Sequence, residues 1–259
     1  MAAQTREGYV KTSRKEGVTQ ITFFHPGSNA LPGHILETLA RQLREAGEDP
    51  DTRVILLCSA GEKAFCAGAS FEELLAIRNE QEGLQFFSGF ASVLNAMRTC
   101  PRFILARIQG SCVGGGVGLA AAADYTLATE TARVKLSELA LGIGPFVVGP
   151  AVERKIGLAA FCELSMDAGS WRDSRWSLQK GLFTEVHPTV EQLDAAISRL
   201  AGSLAGYSPE AMAELKKVWW EGTENWEQLL PRRAAISGRL VLSETTRAFI
   251  RKFKEPTAK

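Results

Sequence analysis

Three stretches of the chain carry residues whose types and spacing can do chemistry. The first is Lys63-Ala64-Phe65-Cys66-Ala67-Gly68-Ala69-Ser70, between an apolar run and a helix-like pattern. Small residues at 67–70 let another molecule approach the main chain and leave backbone N–H groups available. Taken alone, a tight strand-to-helix turn also accounts for it. The second is Gly110-Ser111-Cys112-Val113-Gly114-Gly115-Gly116-Val117-Gly118-Leu119, again at a strand-to-helix junction. Each of the three consecutive glycines costs a helix about 1 kcal/mol relative to alanine. Either tight packing offsets that cost, or the first N–H groups bind negative or developing negative charge. No Gly-Lys-Ser/Thr follows, so it is not a P-loop, and the dinucleotide fingerprint with its acidic ribose ligand is missing. The third runs from Val134 to Pro145. Read as a strand, it puts Glu138 on the apolar face with Val134, Leu136 and Ala140. A carboxylate aimed into apolar surroundings has a raised pKa, which suits a base that must later act as an acid. A solvated glutamate at a strand end is the alternative. Together, two turns that each open a helix can aim two N–H groups at one oxygen, with one glutamate beside it. Such an arrangement stabilises an enolate of a thioester or ester and moves a proton.

The elements around these stretches read as an α/β layered fold. Short β-rich runs at Val18–Phe24, Val54–Cys58 and Phe103–Ile108 alternate with helical patterns at 35–48, 71–79 and 86–97. After residue 150 the pattern is nearly all helical: 191–204, 209–219 and about 227–252. Ser208-Pro209 reads as a helix start, with serine as cap and proline in the first turn. The 259 residues carry 30 Lys and Arg against 29 Asp and Glu, net +1, which leaves no electrostatic footprint for nucleic acid. The uncharged, apolar stretch 108–123 has 16 residues with five glycines among them, too short and too glycine-rich to span a membrane. Five cysteines without CxxC spacing and three histidines without ligand spacing argue against a disulfide scaffold or a metal site. With no signal-type N-terminus visible, the expected location is cytoplasmic.

The chain resembles the crotonase, or enoyl-CoA hydratase/isomerase, superfamily from about Val18 to the C-terminus, loosely between 165 and 190. The resemblance is carried by HPGSNAL (25–31), KAFCAGAS (63–70), IQGSCVGGGVGL (108–119) with AAAADYTLA (120–128), KLSELALGIGP (135–145) and RAFIRKF (247–253). It implies a spiral of ββα turns with a helical C-terminal trimerisation region: a spiral core over 1–200 holding a CoA-ester site, and a helical oligomerisation region over 201–259. It also implies an acyl-CoA substrate, a homotrimer or hexamer, a place in fatty acid metabolism, and no metal or redox cofactor, since coenzyme A is part of the substrate. Position by position, the oxyanion hole falls to the N–H groups of Ala69 and Gly115, the CoA contacts to Ala67, Gly68 and Lys252, and the proton transfer to Glu138. Lys252 reads equally as a surface lysine on a basic tail.

Departures from the family pattern refine what it implies. Members with two catalytic glutamates carry one at the position of Gly118, so this chain resembles single-glutamate members such as the Δ3,Δ2-enoyl-CoA isomerases. The same run also resembles the methylglutaconyl-CoA hydratase branch, and a catalytically weak CoA-ester-binding protein is a further alternative. Ser70 stands where aspartate is usual. The stretch 167–180, with Trp171 and Trp176, replaces the usual connection and either reshapes the acyl pocket or packs. Trp219, Trp220 and Trp226 read as apolar residues that need a partner surface.

Overall fold

The structure is a computed structural model that describes residues 7–254; the ends of the two expected regions, 1–6 and 255–259, lie outside the described residues. Strands β1 (Tyr9–Lys15) and β2 (Val18–Phe24) form an antiparallel hairpin, and β3 (Ala30–Leu31) leads into helix α1 (Gly33–Glu48). Next come β4 (Val54–Ser59), β5 (Ala64–Cys66), β6 (Gly68–Ala69), α2 (Phe71–Ala76) and α3 (Glu80–Thr99). A further turn comprises β7 (Phe103–Ile108), β8 (Ser111–Val113) and α4 (Gly115–Ala122); another comprises β9 (Tyr125–Thr129), β10 (Arg133–Lys135), a 3₁₀ turn (Leu139–Leu141) and α5 (Gly149–Met166). Then follow β11 (Arg172–Asp173), α6 (Ser174–Gln179), β12 (Glu185–His187), and helices α7 (Val190–Ala205), α8 (Pro209–Trp219), α9 (Trp226–Leu240) and α10 (Glu244–Lys254).

The topology is a spiral. One strand of each turn joins a large sheet ordered β1-β2-β4-β7-β9-β12, and the next joins a small sheet ordered β11-β10-β8-β5. Beyond the hairpin the large sheet is parallel. Strand β4 is buried at every position, as a parallel strand covered on both faces must be. Helix α1 buries Ile35, Leu36, Leu39, Ala40 and Leu43, the stripe that helical spacing predicts. Trp226, Leu230, Ala234 and Ile250 from the last two helices, and Val241 between them, enter the same core as the strands.

Several expected elements differ in detail. The helix expected over 71–79 ends at Ala76, because Ile77 is extended and Asn79 caps α3 by accepting the Glu82 N–H. The helix expected over 227–252 is two helices, separated where the Ser243 hydroxyl accepts the Thr246 N–H. Trp226 is a core residue and Trp220 packs edge-on against it, so of the three tryptophans only Trp219 is exposed, stacked on Phe103. The 167–180 stretch packs on the outside: the Trp176 indole N–H donates to Glu163, and Arg133 and Lys135 lie over the Trp171 ring. It does not line the cleft described next.

Candidate active site

The small sheet brings the three chemistry-bearing stretches together. Strands β5, β8 and β10 are parallel neighbours, with Cys66 opposite Cys112 and Val113 opposite Lys135. Their C-terminal ends therefore open at one edge, delivering residues 67–69, 114–115 and 137–138 to one cleft. The 25–31 motif braces this edge. Asn29 accepts the His25 N–H and donates to the carbonyls of Ala60 and Ala64 at 2.9 and 3.0 Å, which fixes the start of β5. Ser70, in the place of the usual aspartate, caps α2 by accepting the Glu73 N–H.

Close backbone approach explains the glycines. Gly68 has φ +88°, and a Cβ there would sit 2.9 Å from the Val113 carbonyl oxygen and 3.5 Å from the Gly115 nitrogen. Gly116 lies against Cys66, where a Cβ would fall 2.4 Å from its carbonyl oxygen. Helix α4 is buried at every position, so only small residues fit around it. In the β3–β6 pairing the Ser70 N–H donates to Leu31 O, so the alternating N–H of Ala69 points away from β3. Gly115 opens α4, and its N–H is one of the first four that a helix leaves unpaired. The neighbouring Gly114 N–H is taken by Lys135 O.

Glu138 is not on a strand. The β8–β10 ladder stops at Lys135, and Glu138 starts the 3₁₀ turn, its carbonyl accepting the N–H groups of Leu141 and Ile143. Gly142, at φ +82°, closes that turn. Burial of the carboxyl comes instead from the cleft walls. Glu138 Oε2 is buried and has no hydrogen-bond partner, while the carboxyl lies against Gly114, where a Cβ would fall 2.8 Å from Oε1. Loss of water around it pushes its pKa up to about 7, only partly offset by a main-chain N–H. Gly118 offers no side chain, and Val148 fills the space there: a Cβ at 118 would lie 2.5 Å from Val148 Cγ1.

Of the residues singled out by sequence, Ala67, Gly68, Ala69, Gly115 and Glu138 meet in the cleft. Lys252 does not; it is exposed on α10 and lines no part of it. Sequence reasoning missed Phe87, Phe90, Phe146, Val148 and Ser237, which also line the cleft. The spacing of Phe86, Phe87 and Phe90 along α3 is a visible signal only of a core face. Ser237 had none, because the crossing of α3 and α9 at Gly83 and Gly238 is what brings it there.

Comparisons with known proteins agree with this geometry. The family model described as enoyl-CoA hydratase/isomerase matches residues 13–249. A carnitinyl-CoA dehydratase of Proteus mirabilis is 29% identical over 78% of this chain and 76% of its own. A peroxisomal Delta(3,5)-Delta(2,4)-dienoyl-CoA isomerase of Arabidopsis thaliana is 27% identical over 83% of this chain and 82% of its own. The crystal structure of an enoyl-CoA hydratase from Mycobacterium avium superposes with a TM-score of 0.83 at 26% identity, covering 94% of this chain and 95% of that one. With the spiral fold and a family match across most of its length, the chain belongs to the enoyl-CoA hydratase/isomerase (crotonase) family.

Proposed function

We propose that the protein moves a double bond along the acyl chain of an enoyl-CoA thioester by a one-base proton shuttle. The observation that carries this reading is the isolation of Glu138. Among the described residues lining the cleft it is the one ionisable side chain, and Val148 occupies the room a second carboxylate at 118 would need. The Glu138 carboxylate takes the proton from the carbon next to the thioester carbonyl. The freed electron pair spreads over the carbonyl oxygen and the adjoining double bond. The N–H groups of Ala69 and Gly115 donate to that oxygen as its charge develops. Glu138, now a carboxylic acid, returns the proton to the far carbon of the same system, so no atom is gained or lost. A pKa near 7 suits a group that must be base and then acid in one turnover. Ala67 and Gly68 lie along the CoA thioester, and the chemistry calls for no metal or redox cofactor. The working form in this reading is a homotrimer or a dimer of trimers.

Hydration of an enoyl-CoA, as in a methylglutaconyl-CoA-type hydratase, is the second reading. It requires that water be held without a second carboxylate. Incubation with 2-enoyl- and 3-enoyl-CoA esters in D2O separates the two. The expected result is double-bond migration with deuterium uptake, and only slow water addition. Glu138→Gln should lower the exchange by about 10²–10⁴ while ester binding survives. Undiminished exchange in that variant, or a 3-hydroxyacyl ester as the main product of the unaltered protein, would overturn the one-base reading.

A further inference from the structure

We infer that the acyl group accepted here is uncharged and apolar, and that an acyl group ending in a carboxylate is refused. This deepens the acyl-CoA reading above and rests on it. The walls facing Glu138 are hydrocarbon: Leu74 from α2, Phe87 and Phe90 from α3, Leu141 from the 3₁₀ turn, and Phe146 and Val148 from the segment before α5. Phe90 lies over the start of α4, where a Cβ on Gly115 would come within 2.1 Å of its ring, so a rigid aromatic edge meets the acyl carbons nearest the oxyanion donors.

Besides Glu138, the polar side chains on these walls are Ser137 and Ser237. Among the described residues the lining contains no lysine, arginine or histidine. Among the described residues no cation lies against the Glu138 carboxyl, and its Oε2 is unpartnered. A substrate carboxylate in this space would be stripped of water beside a second carboxyl, with at most a serine hydroxyl to answer it. Lys135, two residues before Ser137, donates to the Gly169 carbonyl and lies over the Trp171 ring, and Arg78, four residues after Leu74, pairs with Glu82. Uncompensated burial of a charge is among the most costly events in binding, whereas each added methylene gains from leaving water.

The test is calorimetric titration of the full chain at pH 8 with hexanoyl-CoA, glutaryl-CoA and free CoA. These are unreactive ligands that differ in the tail. Hexanoyl-CoA should bind about a hundredfold or more tighter than glutaryl-CoA, and glutaryl-CoA no tighter than free CoA. Glutaryl-CoA binding within about threefold of hexanoyl-CoA would overturn the inference while leaving the acyl-CoA reading intact. If neither ester binds more tightly than free CoA, both fall. Phe146→Arg supplies a cation at a half-buried position where the guanidinium keeps contact with water. In a variant that melts like the parent, the gap between the two esters should narrow at least about tenfold. An unchanged gap would mean that charge on these walls does not select the tail, which also overturns the inference.

Discussion

Glu138 shows how one residue acquires its chemistry from burial alone. Its carboxyl ionises near 7 because the cleft strips away water and supplies no cation. Proton abstraction should therefore rise with pH to a plateau above about 7, and kcat/KM for exchange measured from pH 5 to 9 checks this. The same shift affects stability. Between the ordinary carboxyl value of 4.5 and about 7, the folded chain keeps a proton that the unfolded chain has lost, so stability falls with rising pH across that window. Glu138→Gln removes the effect. It should be more stable than the parent by about 1–3 kcal/mol at pH 8 and by much less at pH 5, as urea unfolding at the two values would reveal. Gly118 poses the complementary case. From sequence, glutamate there should raise hydration, yet its Cβ would collide with Val148. Gly118→Glu alone should cost about 1–3 kcal/mol in stability, and Val148→Ala should recover part of it. The double variant is where hydration is expected to rise relative to double-bond migration, and product analysis decides.

At the scale of elements, the decisive feature is the small sheet. Three parallel strands end together, so two main-chain donors and one carboxyl arrive from segments about 45 and 25 residues apart without any side chain reaching across solvent. The final helix holds the third segment in place: the Thr246 hydroxyl donates to the Gly142 carbonyl, just past the turn that begins at Glu138. Gly114 is the joint between the proposed donors and the proposed base. It has φ +51°, and an added Cβ would touch the Glu138 carboxyl. Gly114→Ala should displace that carboxyl and cut turnover about 10²-fold or more, with a smaller change in ester affinity. Steady-state kinetics with binding measured in parallel would show it; equal losses in both would point to a collapsed cleft instead.

At the scale of the molecule, the C-terminal helices are part of the core that supports the site. Lys216 on α8 is almost fully buried and pairs with Asp124 at 2.7 Å, and it also donates to the Arg102 carbonyl. Asp124 in turn accepts the Ile104 N–H, so α8 is tied to the strands through one carboxylate. Lys216→Met should cost about 3 kcal/mol, because Asp124 would stay buried without its cation; chemical denaturation measures it. The outer face of α8 leaves Leu215, Val218 and Trp219 exposed at helical spacing, and α5 leaves Leu158 and Met166 exposed. An apolar surface of this kind calls for a partner. A trimer or hexamer is the expected species, and light scattering that finds a monomer at micromolar concentration would refute it. No helix of the described residues is long and apolar enough to cross a membrane.

The sequence by itself determined the large parallel strands, the stripe of α1 and the glycine-rich opening of α4, and it singled out Glu138 as the proposed base. Each of these is written in a local pattern: continuous apolar runs, helical spacing, or a residue type found nowhere else nearby. It also made the family legible, because several motifs recur in order. The tertiary structure decided the rest. Glu138 is buried by walls from α3 and the 144–148 segment, not by the strand parity that its neighbours suggested. Trp226 enters the core and Lys252 stays outside the cleft, although both sit in amphipathic helices whose partners no local pattern reveals. Val148 closes the space at Gly118 from thirty residues away. Contacts between segments far apart in the chain depend on how the layers pack, and the electrostatic environment of a buried carboxyl is the sum of such contacts.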